Sequence, residues 1–131
     1  MLKPLFINTL AVRPIFFGIE FSNKILTLLK SIKMTNLIGK KIIARIDRAG
    51  VFHGTLAAKD AEITTMTDVR RIYYWKGALS VTDMSVTGVK AGSKITLPAK
   101  RVEFETGRIV ELIECTDEAS KSIESIKPWK A

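Results

Sequence analysis

The stretch Asp68-Val-Arg-Arg-Ile-Tyr-Tyr-Trp-Lys-Gly-Ala-Leu-Ser80 constrains the fold more than any other part of the chain. It holds both tyrosines, one of the two tryptophans and an Arg-Arg pair. Aromatic and β-branched residues suit a pleated, half-buried surface, so residues 71–75 are expected to form a strand. Side chains alternate along a strand. Arg71, Tyr73 and Trp75 then share one face, and Arg70, Ile72 and Tyr74 share the other. The Ile72 and Tyr74 face is the expected core face. The opposite face would present two flat rings and a guanidinium, which together can stack a base and hold a phosphate. Ordinary cross-strand packing, with arginine stems lying along apolar surface, is the commoner use of such a pattern.

A helix start follows directly. Ser80 suits an N-cap, and Asp83 stands at the third helical position as an aspartate version of the capping box. Leu79 and Met84 have the spacing of a hydrophobic staple. Gly88 suits the residue just past the helix end. The interior of residues 80–87 is made of weak helix formers. Packing through Val81, Met84 and Val86 is therefore expected to hold this short helix.

At 131 residues the chain supports one domain. Its net charge of +8 and pI near 9.8 suggest an anionic partner. Residues 1–33 hold five of the basic residues and one acidic residue, so half of the net charge lies there. This segment is apolar but broken by Lys3, Arg13, Pro14, Glu20 and Lys24. It has no uncharged run long enough to span a membrane, and no clean signal peptide. A minority reading of residues 24–33 is an amphipathic segment lying on a membrane surface. The main expectation is an N-terminal extension outside the fold, with Met34 as the natural start and residues 34–131 as one domain.

Residues 40–48 read as a strand with Ile42, Ala44 and Ile46 on one face. Ala49 and Gly50 mark a turn into a second strand, residues 51–57, in an antiparallel hairpin. Residues 62–67 form a third, Thr-rich strand, which either continues through a bend at Asp68 or stops before a fourth. Residues 94–97 are a short strand ended by Pro98, an edge or a break. Val102 and Phe104 point inward from residues 101–105. Thr106 and Gly107 make a bulge or turn, and residues 108–115 are the last strand. Thr116 caps a second helix with Asp117 and Glu118 in its first turn. Ala119, Ile123 and Ile126 line one face of that helix, and Trp129 is an apolar anchor. The expected class is α+β: an antiparallel, strongly bent sheet or small barrel with two short helices. Short strands with open edges favour a homo-oligomer.

Residues Arg45 to Gly54, Asp68 to Ser80, Gly88-Val89, Ile109 to Thr116 and Ile126 to Trp129, taken in that order, resemble a family of small phage and prophage proteins described only as a domain of unknown function. The resemblance covers essentially residues 34–131. It implies a phage or prophage origin, and the single cysteine fits a reducing, cytoplasmic setting in the host bacterial cell. It supplies no catalytic residues. The chain departs from the family pattern at Tyr73 or Tyr74, where tryptophan is usual, and at Asp83-Met84-Ser85.

The single cysteine, Cys115, excludes an internal disulfide. With one histidine, His53, it falls short of a structural zinc site. The two could meet as a nucleophile and base, but a buried cysteine is more often an inert small hydrophobe. Glycine-rich phosphate loops and paired carboxylates are absent, so an enzyme and a cofactor are not expected. The expected function is a non-enzymatic binding module for an anionic ligand. Its candidate residues are Arg70, Arg71, Tyr73, Trp75 and Lys76, joined by His53 and Arg48. The sharpest version captures a host signalling nucleotide at a subunit interface, as a counter-defence protein. A looser version binds nucleic acid. The alternative class is a structural or host-interaction protein whose aromatic face packs against a partner chain.

Overall fold

A computed structural model describes residues 35–130, together with Ile25 in the segment before them. The expected N-terminal extension otherwise lies outside the described residues. The first three strands are β1 (Lys41–Ile46), β2 (Gly50–Lys59) and β3 (Ile63–Tyr74). Helix α1 (Val81–Thr87) follows, then β4 (Lys94–Ile95), β5 (Ala99–Glu105) and a single 3₁₀ turn over Thr106–Arg108. The chain closes with β6 (Ile109–Glu114) and α2 (Asp117–Ser125). All pairings are antiparallel, in the order β4-β3-β2-β1-β6. β5 pairs with the first half of β3 and β4 with its last residues, so the break at Pro98 divides one edge between two strands. The fold is α+β, with a bent sheet rather than a closed barrel.

Both faces of the sheet are buried. Ile42, Ala44 and Ile46 enter one apolar cluster with Phe52, Leu56, Met66, Val69 and Phe104. Ile109 and Leu112 of β6 pack on the same cluster. Strands from opposite ends of the sheet order thus supply one core, which requires the sheet to curl. Phe52 and Phe104 meet edge-to-face at 4.9 Å. Ile43 and Ile72 point the other way, into a cluster with Met84 of α1, Ile123 of α2, Val89 and Ile95. Two-sided burial explains why β1 reads as nearly continuous apolar sequence.

The third strand and the aromatic stretch are one continuous strand, bent at Asp68. The β2–β3 register shifts between His53 and Thr55, leaving Gly54 opposite Asp68 and Val69. Asp68 takes φ +52°, which a short polar side chain tolerates. The extra residue moves the alternation by one, so Met66 and Val69, three apart, face the same cluster. A methyl group at Gly54 would lie 2.9 Å from the Thr67 carbonyl oxygen, so β3 approaches too closely for any side chain there.

The helices are capped as the sequence predicts. Ser80 Oγ accepts from the Asp83 N–H, and the Gly88 N–H donates to the Met84 carbonyl at φ +81°. Thr116 Oγ1 accepts from the Ala119 N–H and also donates to the Val86 carbonyl, tying the start of α2 to the end of α1. Three expectations fail. Leu79 is 92% exposed, so no staple forms. Val86 faces solvent, and Ser85 is buried in its place because α1 docks against α2 and β6 through its Met84–Ser85 side. Tyr74 is half-exposed rather than core, since β3 ends there beyond the helix layer.

Arg70 fastens the two layers. Its side chain is 4% exposed. Its Nε donates to the Thr96 carbonyl at 2.7 Å. Nη1 reaches the Ile123 and Glu124 carbonyls at 2.8 and 3.3 Å, and Nη2 reaches the Ile126 carbonyl at 2.7 Å. A helix C-terminus leaves carbonyls without intrahelical partners and carries partial negative charge, so a guanidinium satisfies both demands.

Arg70→Met should lower stability by about 3 kcal/mol or more, because it leaves several buried carbonyls unpaired. The shift would be read as a lower urea midpoint with an unchanged slope. Gly54→Ala should cost about 1–3 kcal/mol through forced separation of β2 and β3, measurable in the same titration. A wild-type midpoint in either variant would contradict these contacts.

Candidate functional site

The C-terminal half of β3 delivers Arg71 and Tyr73 to one face of the sheet. Arg71 is held at both ends of its peptide: its N–H donates to Thr96 Oγ1 at 2.9 Å, and its carbonyl accepts from the Thr96 N–H at 3.0 Å. Its guanidinium carbon stands 4.8 Å above the Phe52 ring. The register explains this, since Phe52 lies directly opposite Arg71. Arg71 forms no ion pair among the described residues. Tyr73 is 62% exposed. Phe52, Arg71 and Tyr73, with Val69, Ala99 and Val102, enclose a cleft of about 180 Å³. An exposed ring, a free guanidinium and an apolar floor can hold a planar group that carries negative charge.

Trp75 does not join them. β3 ends at Tyr74, and Trp75 turns onto the Ile72–Met84 cluster, donating from Nε1 to the Ala78 carbonyl at 3.2 Å. Phe52, which the sequence did not single out, supplies the second ring. Its signal was hidden because naming the partner of Arg71 requires the exact hairpin register.

Arg70 and His53 also leave the expected ligand set. They are cross-strand partners and both are buried. The reason for Arg70 is the carbonyl cluster at the end of α2. His53 Nε2 lies 3.2 Å from Ser120 Oγ of α2. Burial pushes the His53 pKa down to about 4, with Lys41 and Arg70 adding to the shift and Glu124 opposing it. Lys76 is exposed in the loop after β3, and Arg48 sits at φ +65° in the β1–β2 turn. Neither lines the Arg71–Tyr73 cleft.

A larger cleft, about 370 Å³, opens beside the β3 bend. Lys41, Asp68, Arg70 and Glu124 contribute its charges, and Pro98 and Pro128 its apolar walls. Lys41 is committed to Glu124 at 2.6 Å, and Arg70 to its carbonyls. Among the described residues the charge left unpaired there is the Asp68 carboxylate, the wrong sign for an anionic ligand.

Cys115 and His53 come near one another, since His53 contacts Ser120 Oγ and Cys115 lines a cleft with the same serine. Burial raises the Cys115 thiol to about 11, so it stays protonated and weakly nucleophilic at neutral pH. Among the described residues no group of three His, Cys, Asp or Glu side chains could hold a metal ion. No described helix is long and apolar enough to cross a membrane.

Residues 39–123 match the model of a protein family described as a domain of unknown function, DUF6948, and the chain belongs to that family. That span contains Phe52, Arg71 and Tyr73, along with Arg70 and its partner strand. No curated protein and no solved structure matches the chain.

A buried neutral histidine makes stability depend on pH. Its folded pKa, about 4, lies below the ordinary 6.5. As pH falls from 6.5 to 4 the unfolded chain gains a proton that the folded chain refuses. Stability should therefore drop across that window by on the order of 3 kcal/mol, and level off below it. Urea titrations at a series of pH values should show this drop in the wild type and not in His53→Gln. An equal drop in both would assign the effect to other groups.

Proposed function

We propose that this chain is a non-enzymatic binding protein that captures an anionic nucleotide. The observation that carries the reading is Arg71, a cation without an acidic partner among the described residues, held rigidly beside the exposed Tyr73 ring. Tyr73 offers a stacking face for the base, and the Arg71 fork suits a phosphate. Complete ligand pockets usually enclose about 300–1,000 Å³. At about 180 Å³ the cleft has room for one planar ring and its substituents. A second copy of the chain would cover the remainder of the nucleotide, which fits an oligomer with a ligand at each interface. The motif's resemblance to phage and prophage proteins supports a setting in the cytoplasm of a bacterial host. There, sequestering a signalling nucleotide would act as counter-defence.

A second reading rests on Leu97, which is 71% exposed and follows Thr96, a residue of the same cleft, in the chain. An exposed leucine and an exposed tyrosine also suit a contact with another protein.

Native mass spectrometry of the full chain with linear and cyclic nucleotides separates the two. One nucleotide retained per cleft, lost by tenfold or more in Arg71→Gln and Tyr73→Ala while both keep the wild-type melting temperature, supports capture. Retention of no nucleotide, with an oligomer that dissociates in Tyr73→Ala, would replace capture with the protein-contact reading.

A further inference from the structure

Beyond the end of β3 the chain builds a second cationic surface, from residues that do not line the Arg71–Tyr73 cleft. Tyr74 pairs with Lys94 of β4. The Lys94 ammonium stands 4.9 Å from the Trp129 ring centroid and 6.0 Å from that of Tyr74. Trp129 is fixed by its N–H, which donates to the Ile95 carbonyl at 2.9 Å. Both rings remain about half-exposed.

Two further lysines are built into the same end. The loop holding Lys76 and Gly77 is latched to the loop from Lys90 to Ser93. The Lys90 N–H donates to the Lys76 carbonyl at 2.8 Å, and the Lys76 N–H donates to Ser93 Oγ at 3.0 Å. Each lysine stem then lies across the other loop's glycine. A methyl at Gly77 would fall 2.5 Å from Lys90 Cγ, and one at Gly92 would fall 3.2 Å from Lys76 Nζ. Both glycines also have positive φ, +91° and +97°, where other residues are strained. The backbone thus makes room for these two stems and fixes their course.

None of Lys76, Lys90 and Lys94 forms an ion pair among the described residues, whereas Lys40 and Lys41 both do. Gathering like charges without a counter-charge is unfavourable on its own. An anionic partner relieves it. Exposed rings interleaved with those cations add stacking faces, which serve unpaired bases and not the closed stack of a duplex.

We propose that the surface formed by Lys76, Lys90, Lys94, Tyr74 and Trp129 binds single-stranded nucleic acid. The three ammoniums take successive phosphates, and the two rings stack bases. The site is independent of the nucleotide cleft.

The test is fluorescence anisotropy of the full chain with labelled oligothymidylate over a range of salt concentrations. Lys→Gln substitutions keep the aliphatic stems over the glycines. The triple variant Lys76→Gln/Lys90→Gln/Lys94→Gln should make the log–log salt dependence shallower by about 2, three phosphate contacts at roughly 0.7 each. Trp129→Ala should weaken binding about tenfold at fixed salt, one lost stack. A control triple, Lys59→Gln/Lys100→Gln/Lys121→Gln, removes the same charge elsewhere and should leave the slope near the wild-type value. Equal losses in the two triples would overturn the proposal in favour of diffuse net charge. So would a wild-type protein that ignores the oligonucleotide, or that binds a duplex just as tightly. Mononucleotide binding, followed on the same samples, decides the cleft reading separately: its failure leaves the oligonucleotide result standing, and the reverse holds too.

Discussion

The contact between Arg70 and the carbonyls closing α2 is the interaction on which the rest of the structure depends. Apart from the His53–Ser120 contact and the Lys41–Glu124 ion pair, the sheet and the helix layer meet through apolar side chains, which are strong but non-directional. Arg70 adds direction. Its fork fixes where α2 ends relative to β3, and its Nε reaches across to Thr96 in the next segment. Thr96 in turn grips both sides of the Arg71 peptide. One buried cation therefore positions the neighbouring exposed one. Burial disfavours its charged form and lowers its pKa, while Glu124 partly offsets that cost.

β3 serves as the spine around which the other elements arrange. It is long enough to take β5 along its first half and β4 along its last residues. The bend at Asp68 lets the sheet curl between them, and Gly54 is the residue that allows β2 to follow. Alternation holds from Val69 to Tyr73, so consecutive residues there separate by role. Val69 and Ile72 enter the two cores, Arg70 ties the helix, and Arg71 and Tyr73 face the cleft. Tyr74, past a second register shift, pairs with Lys94, whose ammonium also approaches the Trp129 ring.

Much of this was legible from the residues. The hairpin of β1 and β2, the inward Val102 and Phe104, the two N-caps and the glycine closing α1 all depend on local chemistry. Each is decided by residues within a few positions of one another. The candidate site was legible only in part. Arg71 and Tyr73 share a face because strand alternation is local. Trp75 left that face because the strand stops one residue earlier, and no local signal marks that stop. Leu79 and Val86 mislead for a similar reason: a staple and an apolar helix face were both expected, but α2 and β6 decide which side of α1 is covered.

The sequence by itself determined the α+β class, most of the elements and the helix caps, because periodicity, capping and turn chemistry act over short separations. Only the tertiary structure decided which of two adjacent arginines is structural and which is free. The distinction rests on carbonyls at residues 96, 123, 124 and 126, distant in the chain and brought to Arg70 by folding. The same holds for Phe52 beneath Arg71, and for the latch that lays the Lys76 and Lys90 stems across each other's loops. A side chain's neighbours across a sheet are fixed by register and bulges, and a single-residue shift exchanges one face for the other.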